Sequence, residues 1–369
     1  MQADSFCSAD LAGVEVGETA ISDVRGEAGE LIYRGRRLDE LVGQPFWGVV
    51  WLVLFGEQPS PDQEQQLGAF AAENARLSGD ELKLLASLPR QLHPMLMLQG
   101  VVPLLDTDQV VGLESLSATA RQGLYIAVKL PLLIAAWRQL EFGNEPSQPD
   151  PSRDLHENFL ALYNGAAPTT EQVRVLDATQ IIQMEHGFNA GTFAGRVCAS
   201  TKAPIQSSIS ASIGTLFGVL HGGADQAALE MADTIGAAEQ AEGYVDACLV
   251  RKEKIMGMGH REYRVLDPRA VLLKPMAESL CTDGKPKQLF DTLVAVEQAC
   301  QKRFAERGKE IWANVEFYKG AVFYQLGVEP RYFTALFAMA RVYGYIAHYL
   351  EFSEDSRLIR PRARYIGPS

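Results

Sequence analysis

Hydrophobic positions recur along most of the chain with a period near 3.6 residues, which predicts helices. The period covers roughly 116–140, 170–185, 205–219, 289–307 and 331–351, in segments rich in alanine and leucine. Ser60-Pro61-Asp62-Gln63 has the form of a capping box with proline at the first helical position. Pro168-Thr169-Thr170-Glu171-Gln172 opens another helix, with Val173, Leu176, Ile181 and Ile182 following. Only the start reads differently. Between 11 and 35, Gly13-Val14-Glu15-Val16-Gly17 and Leu31-Ile32-Tyr33 are short pieces separated by glycines, and they predict a small sheet. Strand and helix patterns do not alternate, which excludes a parallel-sheet fold. The expected class is all-α with a minor N-terminal β element.

Three breaks interrupt the helical pattern. Asn144 to Asp154 holds three prolines and several acids and reads as a surface loop. Gly222-Gly223, within Leu220 to Ala224, ends one helical run just before the next begins. Gly327-Val328-Glu329-Pro330 is the third. The segment between the last two is expected to be a smaller lobe.

Composition narrows the function. The 369 residues are long enough for one large or two moderate domains. A net charge of -12 repels a phosphate backbone, so no nucleic acid is expected as a partner. A small polyanionic substrate needs a local cluster of positive groups against that field. The cysteines Cys7, Cys198, Cys248, Cys281 and Cys300 are scattered and odd in number, without CxxC spacing, which fits a reducing compartment and no metal site. Met1 to Asp4 shows no basic region leading into an apolar stretch. The longest apolar run, Phe46 to Phe55, is far short of the ~20 residues that cross a bilayer. A soluble cytoplasmic protein without membrane association is expected. P-loop, HExxH and GxSxG patterns are absent, and Gly257-Met258-Gly259 fails as a dinucleotide fingerprint because Glu262 takes the third glycine position.

A few residues look chemical. His221 is followed by Gly222-Gly223, where a ligand can approach the backbone; a hydrogen-bonded histidine at a helix C-cap has the same sequence. The small residues Ser207 to Gly214 before it suit a tightly packed helix. His260 ends Met256-Gly257-Met258-Gly259-His260, whose free backbone groups suit a flat ring or phosphate oxygens, or an ordinary basic turn with Arg264 and Arg269. His186 sits at a helix end, where a histidine favours the terminus. Arg341 is the sharpest anomaly. It shares a face with Phe337 inside the apolar run Phe333 to Gly344. Such an arginine needs a carboxylate, from the protein or from a substrate, or must snorkel to water. Arg357 and Arg364 read as a solvated basic surface.

These pieces, in this order, resemble the citrate synthase family. The resemblance starts at Leu31-Ile32-Tyr33-Arg34-Gly35 and the helix from Phe46-Trp47 to Gly56-Glu57, and passes through His93-Pro94-Met95. It is strongest at His186 to Asn189, Leu220 to Ala224, Gly257 to Arg269, Asn314-Val315-Glu316-Phe317-Tyr318 and Arg360-Pro361-Arg362. It implies a homodimer or larger homo-oligomer, of the short, dimer-type chain, that condenses acetyl-CoA with oxaloacetate. By the same resemblance, residues 1–219 and 325–369 form a large domain and 220–324 a small one that closes over the substrates. No permanently bound cofactor is implied; a coenzyme A thioester is co-substrate.

The implied roles follow position by position. His221 matches the histidine that hydrogen-bonds the thioester carbonyl as it becomes an enolate. His260 matches the one that polarises the ketone and protonates the new alkoxide. His186, Arg269 and Arg341 match groups that bind the dicarboxylate, and Arg360 matches an arginine supplied by the partner subunit. Asn189 and Phe337 match further site-lining positions. Lys254, Ile255, Met256, Gly257, Met258, Gly259 and Arg264 match coenzyme A contacts. The departures are Gly187, where an acid is common, and Glu316, where the family's base is aspartate. One extra methylene moves the carboxylate by about 1 Å, a displacement that can cost ~100-fold. An adapted base, a 2-methylcitrate synthase using propionyl-CoA, and a weakly active paralogue with an assembly or binding role all accommodate it.

Overall fold

The computed structural model describes residues 11, 13–219, 221–354 and 357–368. Cys7, Leu220 and the Met1 to Asp4 segment therefore lie outside the described residues. Sixteen α-helices and one small sheet are present among them. The long predicted helices form as Ala118–Glu141, Thr170–Gln183, Ile205–Leu216, Gly284–Ala305 and Phe333–Glu354. The third stops three residues earlier than its pattern suggested, and the fourth begins earlier, at Gly284. Both capping boxes close: Ser60 accepts from the Gln63 N–H and Thr169 from the Gln172 N–H, each at 3.2 Å. The 144–154 segment is irregular, as its prolines require.

The sheet departs from the sequence reading. Its strands are Ser22–Arg25, Glu30–Tyr33 and Arg36–Arg37, antiparallel in that order, with Ser22 opposite Tyr33 and Arg25 opposite Glu30. Gly13 to Gly17 stays outside it. Those residues bury no side chain, so they lack the packing that makes a β pattern into a strand. Tyr33 is fully buried and its hydroxyl meets the carbonyls of Ile181 and Glu185, which anchors the sheet beside the end of helix Thr170–Gln183.

The core lies around Phe333–Glu354, which packs against the helices Ala118–Glu141, Ala190–Ala199, Ile205–Leu216, Phe46–Phe55 and Thr170–Gln183. Helices Ala190–Ala199 and Ile205–Leu216 are the most intimately paired, as the run of small residues predicts. A Cβ on Gly195 would press on the Ser212 hydroxyl, so glycine there eases this close approach. Ser208 seals it by donating to the Gly195 carbonyl at 2.8 Å. The helices between Ala224 and Gln325 pack chiefly on one another. No helix among the described residues is long and apolar enough to cross a membrane.

Candidate active site

A cleft of about 830 Å³ opens between these two groups of helices. It gathers His186, Asn189, His221, His260, Arg269, Glu316, Phe337 and Arg341 from segments far apart in sequence. Helix N-caps place three of them. Asn189 caps Ala190–Ala199 by accepting from the Thr192 N–H at 3.1 Å. Asp267 caps Pro268–Leu280 by accepting from the Arg269 N–H at 2.9 Å. Asn314 caps Val315–Gln325 by accepting from the Glu316 N–H at 2.9 Å. Each cap satisfies an orphan donor and, at the same stroke, orients a cleft residue.

Asn314 does more than cap. Its side-chain amide donates to the Gly259 carbonyl at 2.9 Å, and its backbone N–H donates to the Gly257 carbonyl at 2.9 Å. The loop carrying His260 is thereby tied to the helix carrying Glu316. Gly257 has φ of 76° and a Cβ there would lie 2.7 Å from the Phe317 ring, so the tie needs glycine. Asp267 adds a second tie: Oδ2 accepts from the Val315 N–H at 3.1 Å and from Arg269 Nη2 at 2.9 Å.

The three cleft histidines are neutral. Burial, and then the charge of Arg341, bring His221 down to about 4, with Glu316 opposing. Burial and Arg269 bring His260 down to about 4. Burial, Arg269 and Arg341 push His186 well below its ordinary range. Partners decide the tautomers. Nδ1 of His260 accepts from the N–H groups of Glu262 and Tyr263, at 3.0 and 3.2 Å, so its proton is on Nε2. That nitrogen lies 3.1 Å from Arg269 Nη2. Two donors so close are satisfied together only by an acceptor that faces both, such as a carbonyl or carboxylate oxygen. Asn189 Oδ1 faces His221 Nε2 at 3.2 Å, and its cap bond identifies it as the oxygen, so His221 donates. His186 Nε2 pairs with the Tyr263 hydroxyl at 3.1 Å.

Arg341 has found no carboxylate of its own. It is 1% exposed, its Nε donates to the Gln183 carbonyl at 2.7 Å, and Nη2 is buried without a partner. Its guanidinium sits 4.8 Å from the Phe337 ring centroid. Such a planar fork aimed into a cleft is suited to a ligand carboxylate. Glu316 lines the same cleft.

Not every predicted residue reaches the cleft. Of the seven matched to coenzyme A, only Gly259 lines it; Lys254 and Arg264 are exposed and Ile255 is buried. Met256 and Met258 are half-buried and Gly257 is buried against Phe317. Arg360 is exposed and away from the cleft of its own chain.

Sequence reasoning missed a supporting layer. Tyr263 and Asp267 hold His186 and Arg269. Glu185, fully buried, accepts from Ser22, the Gly187 N–H and His348 Nε2. Against its burial, His348, Arg341 and Ser22 hold its carboxyl below the ordinary range. Lys319 and Asp225, also fully buried, stand behind Glu316. Lys319 was findable: it interrupts the apolar run Phe317 to Phe323 just as Arg341 interrupts its own.

The family described as citrate synthase, C-terminal domain, matches residues 10–362. A citrate synthase of Acidithiobacillus ferridurans is 34% identical over 368 residues, covering 97% of this chain and 94% of that one. A 2-methylcitrate synthase of Shewanella oneidensis is 33% identical, covering 100% and 96%. The solved ternary complex of citrate synthase from Thermoplasma acidophilum with carboxymethyl coenzyme A and oxaloacetate superimposes with a TM-score of 0.88 at 27% identity, covering 97% of this chain and 95% of that one.

Proposed function

The chain belongs to the citrate synthase family, and from that membership we propose how its cleft carries out the reaction. It is an enzyme that condenses acetyl-CoA with oxaloacetate and water to give citrate and coenzyme A. Oxaloacetate lies with its carboxylates on Arg269, Arg341 and His186, and its ketone oxygen on His260 Nε2. Acetyl-CoA enters along the Lys254 to Gly259 loop and Arg264, with its thioester oxygen taking the proton that His221 otherwise shares with Asn189. Phe337 and Asn189 line the reacting space.

The chemistry needs a base and an oxyanion donor together, because a methyl group beside a thioester is a very weak acid. Glu316 takes the methyl proton. His221 donates to the enolate oxygen. The enolate carbon attacks the ketone carbon, and the alkoxide takes a proton from His260. Water then cleaves the citryl-CoA thioester and releases coenzyme A. A neutral His260 suits this step, since it donates without first binding a proton from solvent.

Residues 220–324 act as the small domain and close on the rest, excluding water from the enolate. The working unit is a homodimer in which Arg360 of each chain completes its partner's site. The cytoplasm is the compartment that supplies these substrates.

The observation that carries the reading is Arg341, a buried arginine whose Nη2 has no partner, facing the same cleft as Arg269 and three neutral histidines. The test is coenzyme A release from acetyl-CoA and from propionyl-CoA, each with and without oxaloacetate. Release from acetyl-CoA that requires oxaloacetate is expected. No release with either thioester overturns the enzymatic assignment, and a strong preference for propionyl-CoA reassigns the acyl group.

A further inference from the structure

Glu316 is the end of a buried chain of charges. Lys319, one turn along the same helix, places Nζ 2.6 Å from Glu316 Oε2 and 3.1 Å from Asp225 Oδ2. Lys319 and Asp225 are fully buried, and neither lines the cleft, whereas Glu316 does. Asp225 is the second residue of helix Ala224–Ile235, and its other oxygen accepts from the Gln226 N–H at 2.8 Å. Lys319 Nζ also rests 4.0 Å from the centroid of the Phe337 ring. Stability does not explain this arrangement. Each buried ion costs several kcal/mol of lost hydration, and apolar side chains of similar volume would fill the same space at least as stably.

We propose that Lys319, braced by Asp225, is a positioning residue for Glu316: it fixes Oε2 so that Oε1 faces the cleft as proton acceptor. The lysine reaches the longer glutamate and sets where its carboxylate sits. A lone cation at this distance would weaken the base, since it favours the ionised form over the protonated one. Asp225, 3.1 Å from the same Nζ, offsets that cation. Burial pushes the Asp225 carboxyl up to about 6 against the pull of Lys319, as expected of an anion that shares one cation with another.

Other charged groups that face Glu316 are few. His221 from the preceding loop and Arg269 from helix Pro268–Leu280 feel its charge, and Arg341 lies across the Phe337 ring. Glu297 of helix Gly284–Ala305 is engaged by Tyr318 and Lys274, on another side of the helix. The proposal rests on Glu316 being the base, so its test carries Glu316→Gln as a control.

Full-length Lys319→Met, Lys319→Arg, Asp225→Asn and Glu316→Gln are compared by steady-state kinetics over pH, by exchange of acyl-CoA methyl protons with solvent, and by calorimetric oxaloacetate binding. Lys319→Met is expected to lower kcat and exchange about 100-fold, as misplacement of a reacting group does, with oxaloacetate affinity kept. Its acid limb moves to higher pH, because the bare carboxylate ionises less readily beside Asp225. Asp225→Asn moves the limb to lower pH, and Lys319→Arg recovers part of the rate. Wild-type rate and pH profile in Lys319→Met, with Glu316→Gln inactive, overturn the positioning role and leave the base assignment standing. Parallel loss of oxaloacetate binding in Lys319→Met marks a structural role and also overturns it. Full activity in Glu316→Gln overturns the base assignment itself. Should Lys319→Met not fold, Asp225→Asn decides, and an unmoved acid limb there overturns the proposal.

Discussion

Arg341 is held by the backbone of Gln183 and by no carboxylate. Its Nε donates to the Gln183 carbonyl at 2.7 Å, and its Nη2 is left buried without a partner. The fixed nitrogen sets the plane of the guanidinium before any ligand arrives. Among the described residues no Asp or Glu oxygen pairs directly with Arg341; buried Glu185 feels its charge without bonding to it. Replacing Arg341 by leucine removes a desolvated charge pair from the complex. Oxaloacetate binding is expected to weaken by roughly 2–5 kcal/mol while the helical circular dichroism is kept. Calorimetric titration checks this, and unchanged affinity would remove Arg341 from the site.

Glu316→Gln keeps the shape of the side chain and removes its ability to take a proton. Turnover is expected to fall by about 10²–10⁴-fold with oxaloacetate binding intact. Glu316→Asp is expected to lose activity as well. A carboxylate one methylene shorter is drawn away from Lys319 Nζ, now 2.6 Å from Oε2. A rise in acetyl-CoA turnover in that variant would mean that the glutamate handicaps the enzyme.

His221 and His260 belong to different half-reactions, so their variants are expected to differ in kind. His221→Ala abolishes solvent exchange of the acyl-CoA methyl protons, followed by proton NMR. His260→Ala leaves the ketone of bound oxaloacetate unpolarised, seen as a carbonyl stretch close to that of the free acid. Wild-type exchange in the first variant contradicts its role as oxyanion donor.

Arg360 lies outside the cleft of its own chain, so its contribution is expected to come across the dimer. Arg360→Leu and His260→Ala homodimers are each expected to be nearly inactive. A mixed dimer of the two holds one intact site. Random mixing of equal amounts is therefore expected to restore roughly a quarter of wild-type activity, the arithmetic of two-fold symmetry. No recovery on mixing contradicts an arginine supplied in trans.

Acid destabilises this protein through its buried histidines. His221 and His260 ionise at about 4 in the folded chain, mainly because of burial, against ~6.5 when unfolded. The unfolded chain therefore binds more protons between those values. The stability that depends on neutral histidines is fully present above pH ~6.5 and is lost as pH falls towards 4. Each histidine contributes a slope of up to about 1.4 kcal/mol per pH unit in that window. Urea unfolding at pH 7.5, 6 and 5 measures it, and His221→Gln should flatten the curve by one proton. A free energy independent of pH over this range contradicts the burial of both rings.

The helices were legible in the sequence because their causes are local. Ser60 and Thr169 bond to residues three positions on, and the apolar period of Phe333 to Tyr343 needs only its own turns to be seen. The site histidines and Arg341 were also legible, because a histidine among glycines or a charge in an apolar run conflicts with its surroundings. Gly13 to Gly17 misled because a β pattern becomes a strand only where a neighbour buries one face, and none does so here. The sequence likewise could not pair Lys319 with Asp225, His348 with Glu185, or His186 with Tyr263. These partners meet because separate helices pack at particular angles, and a buried charge takes whichever counter-charge that packing delivers. Residue types supplied the candidates for chemistry, and tertiary packing decided which of them face one another across the cleft.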